Sequence, residues 1–147
     1  MVDTTKIKTV IEPYVQNWLS TQFPGHVFKE KPVLLVTESS HRFDAVAEDG
    51  SIVGAILCNR PKTRTGHENT GAVRKARDDV SCLKLLPAAV KKLMIFTDAG
   101  CCELIRRRAA RLGTESIEMM VCMLPPNLAK LLRNILDEAS NEQRAAE

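Results

Sequence analysis

Arg42-Phe43-Asp44-Ala45-Val46-Ala47-Glu48-Asp49-Gly50-Ser51-Ile52-Val53-Gly54-Ala55-Ile56-Leu57-Cys58 is the stretch on which the fold turns. Apolar residues alternate on both sides of Asp49-Gly50, and Asp-Gly between two alternating runs is the strongest short-range sign of a two-residue β-hairpin. With Glu48 facing Ser51, Asp44 stands opposite Ala55 and Arg42 opposite Leu57. A period of two puts these four side chains on one face, with directly opposed Cβ atoms ~5 Å apart.

The flanking sequence extends this hairpin into a sheet. Upstream, Ile7, Val10, Ile11, Tyr14, Val15, Trp18 and Leu19 recur at three- and four-residue steps and predict an amphipathic first helix, kinked at Pro13. Strand-like runs follow at roughly His26 to Glu38, with Pro32 inside it, then Arg42 to Ala47 and Ser51 to Cys58. A polar, basic loop leads to a second helix from about Gly71 to Leu86, with Val73, Ala76, Val80 and Leu83 on one face. Leu93 to Thr97 reads as an apolar strand. Asp98 to Leu112 reads as a helix with Asp98 as its N-cap and Gly113 as its C′ glycine. A strand from Ile117 to Leu124 precedes a last helix carrying Leu128, Leu131, Leu132, Ile135 and Leu136, with a polar end from about Asp137 expected to fray. The order α-β-β-β-α-β-α-β-α, a meander followed by crossover helices, implies a mixed sheet covered on both faces. That is an α/β sandwich of three layers.

The chain has 147 residues, of which 44% are apolar and 27% charged, enough for one domain with its own core and too apolar for wholesale disorder. A net charge of +3 permits a nucleic-acid partner only if the cations cluster. The N-terminal Met1-Val2-Asp3-Thr4-Thr5-Lys6 has no secretory pattern and no apolar run nears the ~18 residues of a membrane span, so a cytoplasmic protein with no membrane partner is expected. Cys58, Cys82, Cys101, Cys102 and Cys122 contain no Cys-x-x-Cys and mostly sit in apolar runs, as reduced core residues do. Three scattered histidines add no metal-ligand spacing.

The hairpin and its flanks resemble the PD-(D/E)xK, or restriction-endonuclease-like, nuclease superfamily over residues 4 to about 97. In that family an Asp on one strand faces a Glu-x-Lys on the next. Asp44 matches the Asp, whereas Ala55 stands at the Glu position and Leu57 at the Lys position. The resemblance further implies Glu12 as the acid that some members carry on the first helix, and Lys75 or Arg77 as the polar residue that some carry on the second. With Mg²⁺ or Mn²⁺ as the implied cofactor, such hydrolysis takes two carboxylates to hold the metal and a cation to orient water or stabilise charge. One carboxylate beside a methyl group binds Mg²⁺ weakly, and Leu57 can do neither job of a lysine. The implied protein is a catalytically degenerate member, a pseudo-nuclease, with Asp44 and Glu12 as its remnant site.

Between Arg60 and Arg77, Arg60, Lys62, Arg64, Arg74, Lys75 and Arg77 outnumber Glu68, Asp78 and Asp79, and in the resembled family this segment borders the substrate cleft. Such cations could hold the phosphates of double-stranded DNA without reading sequence. Two alternatives stand beside this reading. One is an active Mg²⁺-dependent nuclease in which Glu38, Glu68, Asp78 or Asp79 supplies a migrated carboxylate and Arg42 the positive charge. The other is an interaction module that forms a homodimer or binds another protein and has no nucleic-acid role. A bland reading of Asp44 pairs it with Arg42, two residues away on one face. Gly66-His67-Glu68-Asn69-Thr70-Gly71 lacks the Lys-Ser/Thr of an NTP loop. Arg106, Arg107, Arg108 and Arg111 form a second basic segment on a separate helix, and Met119, Met120 and Met123 are expected in the core.

Overall fold

The structure, a computed structural model, describes residues 4–63 and 65–146, so Arg64 lies outside the described residues. A π-helical turn, Ile7–Ile11, runs directly into α1 (Glu12–Gln22). Pro13 explains that turn. Its ring nitrogen has no hydrogen to give the carbonyl four residues back, and the preceding amide, Glu12 N–H, reaches instead to Ile7 O, five residues back. Pro13 thus falls in the first turn of α1, and the local irregularity beside it is one wide turn.

Five strands follow in spatial as in sequence order: β1 (Phe28–Leu34), β2 (Ser40–Ala47), β3 (Ile52–Leu57), β4 (Lys91–Phe96) and β5 (Ile117–Val121). The β1–β2 and β2–β3 pairs are antiparallel and the β3–β4 and β4–β5 pairs parallel, so the protein is α/β with a mixed sheet. The remaining helices are α2 (Thr70–Leu83), α3 (Ala99–Arg107), α4 (Ala109–Leu112) and α5 (Pro126–Ala146), the last including the polar stretch from Asp137. Asp98 caps α3 by accepting the Gly100 and Cys101 amides, and Gly113 ends α4 with φ 71°. Between them the expected single helix breaks at Arg108, with φ −96° and ψ 2°.

Each face of the sheet buries its own core. Val53, Ala55, Leu57, Met94 and Phe96 pack beneath Ala72, Ala76, Val80 and Leu83 of α2 and Leu104 and Ile105 of α3. Ile52, Ile56, Leu93 and Ile95 pack beneath Ile11, Val15 and Leu19 at the N-terminal helix and Leu132 of α5. Burying a side chain such as Leu57, at 0% exposure, is worth roughly 1.5–3 kcal/mol over leaving it in water. Gly54 marks the tightest strand contact, since a Cβ there would lie 2.8 Å from Ile95 Cδ1. All five cysteines are unpaired, and four are buried. Met123 does not join the core: β5 ends at Val121 and Met123 is 71% exposed. Among the described residues no helix is long and apolar enough to cross a membrane.

The decisive hairpin keeps its predicted register but not its predicted turn. Ala45 pairs with Gly54 and Val46 with Val53, as they must if Glu48 faces Ser51. The loop, however, spans four residues. Gly50 N–H closes a turn on Ala47 O at 2.9 Å, Gly50 takes φ 74°, and Asp49 Oδ1 accepts both the amide (3.0 Å) and the hydroxyl (2.6 Å) of Ser51. The Asp49 side chain replaces the ladder bonds that a two-residue turn would have used.

Candidate functional site

A β-bulge places Asp44. Along β1 and β2, Lys29 pairs with Val46 but Lys31 with Phe43, which leaves Asp44 and Ala45 together against Glu30 alone. The extra residue breaks the alternation: Phe43 and Val46, three apart, both enter the core beneath α2 and α3, and Ala45 enters the opposite one. A bulge of this kind re-aims a side chain. Asp44 Oδ2 accepts the Ile56 amide at 2.9 Å, so its carboxylate enters the gap where β2 and β3 part, and Gln16 of α1 donates to the Asp44 carbonyl at 2.8 Å. The expectation that Asp44, Ala55, Arg42 and Leu57 share one face is corrected accordingly. Ala55 and Leu57 are buried in the core under α2, while Arg42 is exposed and pairs with Glu30 at 3.2 Å instead of with Asp44.

Lys8, which the sequence reading passed over, holds the site together. From the π-helical turn its ammonium reaches Glu12 Oε1 at 3.2 Å, Asp44 Oδ1 at 3.3 Å and Glu30 Oε1 at 3.7 Å. Glu12 and Asp44, both expected at the remnant site, are therefore brought to one place, and Glu30 joins them. Glu12 Oε1 is fully buried and meets Lys8 as an ion pair, without the geometry of a hydrogen bond. Burial, reinforced by the Asp44 charge, pushes the Glu12 carboxyl up to about 7 against the pull of Lys8. Burial by itself would lower the Lys8 ammonium, but the Glu12 and Asp44 charges outweigh it and raise it. The one sequence signal for Lys8 was its four-residue spacing to Glu12.

A second pair borders this cluster. Lys75 Nζ meets Asp79 Oδ2 at 3.0 Å on α2, and both groups feel the Asp44 charge. Burial raises the Asp79 carboxyl, and the Cys58 thiol is pushed up to about 12 by burial and then by Glu12. Of the acids considered as migrants, Asp79 alone has this connection. Glu68 is paired elsewhere, Asp78 is exposed on α2, and Glu38 occupies the β1–β2 turn with φ 70°. The divalent ion implied by the resemblance does not fit these residues. Among the described residues no group of three or more His, Cys, Asp or Glu side chains is arranged to hold a metal ion, and the three nearest carboxylates converge on an ammonium.

The basic loop folds as a unit. Thr63 N–H bonds to His67 O at 2.7 Å, and Asn69 caps α2 through Ala72 N while its own side-chain amide donates to Arg60 O. Pro61 packs on Gly100, where an added Cβ would lie 2.9 Å from Pro61 Cγ, so the loop rests on the start of α3. The two basic segments thereby meet. Glu68 Oε2 pairs with Arg108 Nη2 at 2.5 Å and feels Arg107 and Arg111, and Lys62, Glu68 and Arg107 line one shallow depression. The remaining cations are spread out: Arg60 pairs with Asp137 of α5 at 2.6 Å, Lys75 with Asp79, and Arg74 and Arg77 are exposed along α2. Arg60 also lines a cleft of about 360 Å³ at the C-terminal ends of β3 and β4, with Cys58, Thr97, Asp98 and Arg133. Clefts at such strand ends are where open α/β sheets commonly bind ligands. Compared with protein-family models, curated proteins and solved structures, the chain shows no match.

Proposed function

We propose that this protein is a catalytically degenerate, restriction-endonuclease-like protein that holds the backbone of double-stranded DNA without cutting it. The observation that carries the reading is the Glu68–Arg108 pair, which joins the loop after β3 to α3. It gathers Lys62, Arg107, Arg108 and Arg111 around a single acid. Phosphate contacts of this kind need clustered cations rather than base-reading side chains, and they position a duplex without reading it. The loss of chemistry is supported by Ala55 and Leu57, at 2% and 0% exposure, where a nuclease of the resembled family would present a carboxylate and an ammonium.

The test is fluorescence anisotropy of a labelled duplex at increasing salt, beside a Mg²⁺ and Mn²⁺ cleavage assay. The reading requires salt-sensitive binding that Lys62→Glu/Arg107→Glu abolishes, and an intact duplex afterwards. Absence of binding even at low salt would refute the binding half, and cleavage lost in Asp44→Ala would refute the degenerate half. Such cleavage would instead support the active-nuclease alternative, which one observation favours: a Glu12 carboxyl at about 7 beside Asp44 lies where a proton-transfer group works near neutral pH.

A further inference from the structure

We infer that the cleft of about 360 Å³ at the C-terminal ends of β3 and β4 is a binding site for a small monocarboxylate with an apolar body, its carboxylate held by Arg133 and Arg60 and its body by the leucines of α5. The inference stands apart from the DNA-binding reading, because the cleft shares no residue with the depression formed by Lys62, Glu68 and Arg107.

The chain topology opens this cleft. Strands β3, β4 and β5 run parallel, so Cys58, Thr97, Asp98 and Leu124 all leave the sheet at one end. The helix that follows β4, α3, covers one face of the sheet, whereas α5, which follows β5, covers the other. Where successive connections part to opposite faces, a crevice is left outside the strand ends, and open α/β sheets take ligands there. Its outer wall is α5. Ala129, Leu132, Arg133 and Leu136 fall at three- and four-residue steps, which puts one arginine on the same stretch of helix surface as the apolar residues.

The charges in the cleft select a monoanion. Arg60 is already matched by Asp137 at 2.6 Å, and that pair fixes its guanidinium while leaving it further N–H donors. Asp98 spends Oδ1 on the Gly100 and Cys101 amides at the start of α3. The Cys58 thiol, pushed up to about 12 by burial, stays neutral at pH 7 and adds no opposing charge. Arg133 is exposed, and among the described residues it has no ion-pair partner. It stands one turn before Asp137 on α5, so its head lies at the Arg60 end of the cleft. One unmatched guanidinium remains, and its fork of donors fits a carboxylate through two parallel hydrogen bonds. Leu124 and Leu136 are only half-buried, so an apolar body laid against them removes surface that is now partly wet. The volume is at the small end of ligand pockets, ~300–1,000 Å³, which calls for a small molecule.

The experiment is a titration of the full chain with octanoate, acetate and octanol, followed by amide NMR, for wild type, Arg133→Met and Ala129→Phe. Octanoate should bind wild type saturably, with a Kd of about 1 mM or below, and shift the amides of Cys58, Asp98 and Ala129. Acetate and octanol each keep one of the two contacts and should bind at least about tenfold more weakly. Arg133→Met should weaken octanoate about tenfold and leave octanol unchanged, whereas Ala129→Phe, which fills the cleft, should abolish both. Because Arg133 is exposed, Arg133→Met decides the carboxylate contact in a folded protein even where Ala129→Phe fails to fold. Octanol or acetate binding as tightly as octanoate, or octanoate binding that ignores Arg133→Met, overturns the inference. So does the absence of saturable shifts, or their confinement to Lys62, Glu68 and Arg107, and either result leaves the DNA-binding reading standing.

Discussion

Asp44 Oδ2 accepts the backbone N–H of Ile56 at 2.9 Å, across the point where β2 and β3 separate. The side chain therefore bonds the partner strand directly and acts as a structural joint between β2 and β3.

Asp44→Ala and Asp44→Asn should consequently differ. Alanine removes the acceptor for Ile56 N–H and the partner of Lys8 together, and one unsatisfied buried amide costs about 1–3 kcal/mol. Asparagine keeps an oxygen for Ile56 and gives up only the charge, so its loss should be about half as large. Urea unfolding of the two variants measures this, and equal losses would mean that the Ile56 bond contributes nothing.

The Glu12 carboxyl makes stability depend on pH in a set direction. Its folded value of about 7 lies above the ordinary 4.5, so the fold favours the protonated acid. That contribution is complete below about pH 4.5 and is lost as pH rises through about 7. The groups facing it are Lys8, Asp44 and Glu30, and because Lys8 is half exposed the expected loss is discounted to about 1–2 kcal/mol. Glu12→Gln, which cannot ionise, should gain on wild type by that amount between pH 4.5 and 7.5. A stability difference between the two that stays constant over this range would contradict the assignment.

Much of this fold could be read along the chain, and the misses have local causes. Alternation around Asp49-Gly50 fixed which residues of β2 and β3 pair, because the register survives a change of turn. Asp98 and Gly113 were legible because capping depends on neighbouring amides and carbonyls alone. The bulge was not, since one extra residue in a strand leaves an apolar-polar pattern that still reads as regular. Lys8 was missed because a lysine in the first turn of an amphipathic helix looks solvated, and its other partners, Glu30 and Asp44, are distant in sequence. Glu68 and Arg108 are forty residues apart, and only the folding of the loop onto α3 joins the two basic segments.

Leu57 tests how the core under α2 responds to a buried charge. Lysine there would place an ammonium at a position with 0% exposure inside an apolar core. Leu57→Lys alone should cost about 3–5 kcal/mol, the range for an uncompensated buried charge. Adding Ala55→Glu, two residues away on the same strand and in the same core, supplies a counter-charge, so the double variant should be more stable than the sum of the singles by about 1–3 kcal/mol. A double-mutant cycle by chemical denaturation reads that coupling directly, and strict additivity would show that the two positions do not meet.

The joined basic surface predicts how binding should respond to salt. Each cation that neutralises a duplex phosphate adds about 0.9 to the slope of log affinity against log salt. Arg107 and Arg111 are exposed beside Glu68, so Arg107→Gln and Arg111→Gln should each lower the slope by about 1 and weaken all duplex sequences alike. Glu68→Gln should act in the opposite sense, because it removes the one acid among these cations and releases Arg108 from its ion pair. Tighter binding with a steeper slope in Glu68→Gln, measured by anisotropy over a salt series, would place the phosphates on the loop and α3 together. An unchanged slope in all three variants would exclude this surface as the contact.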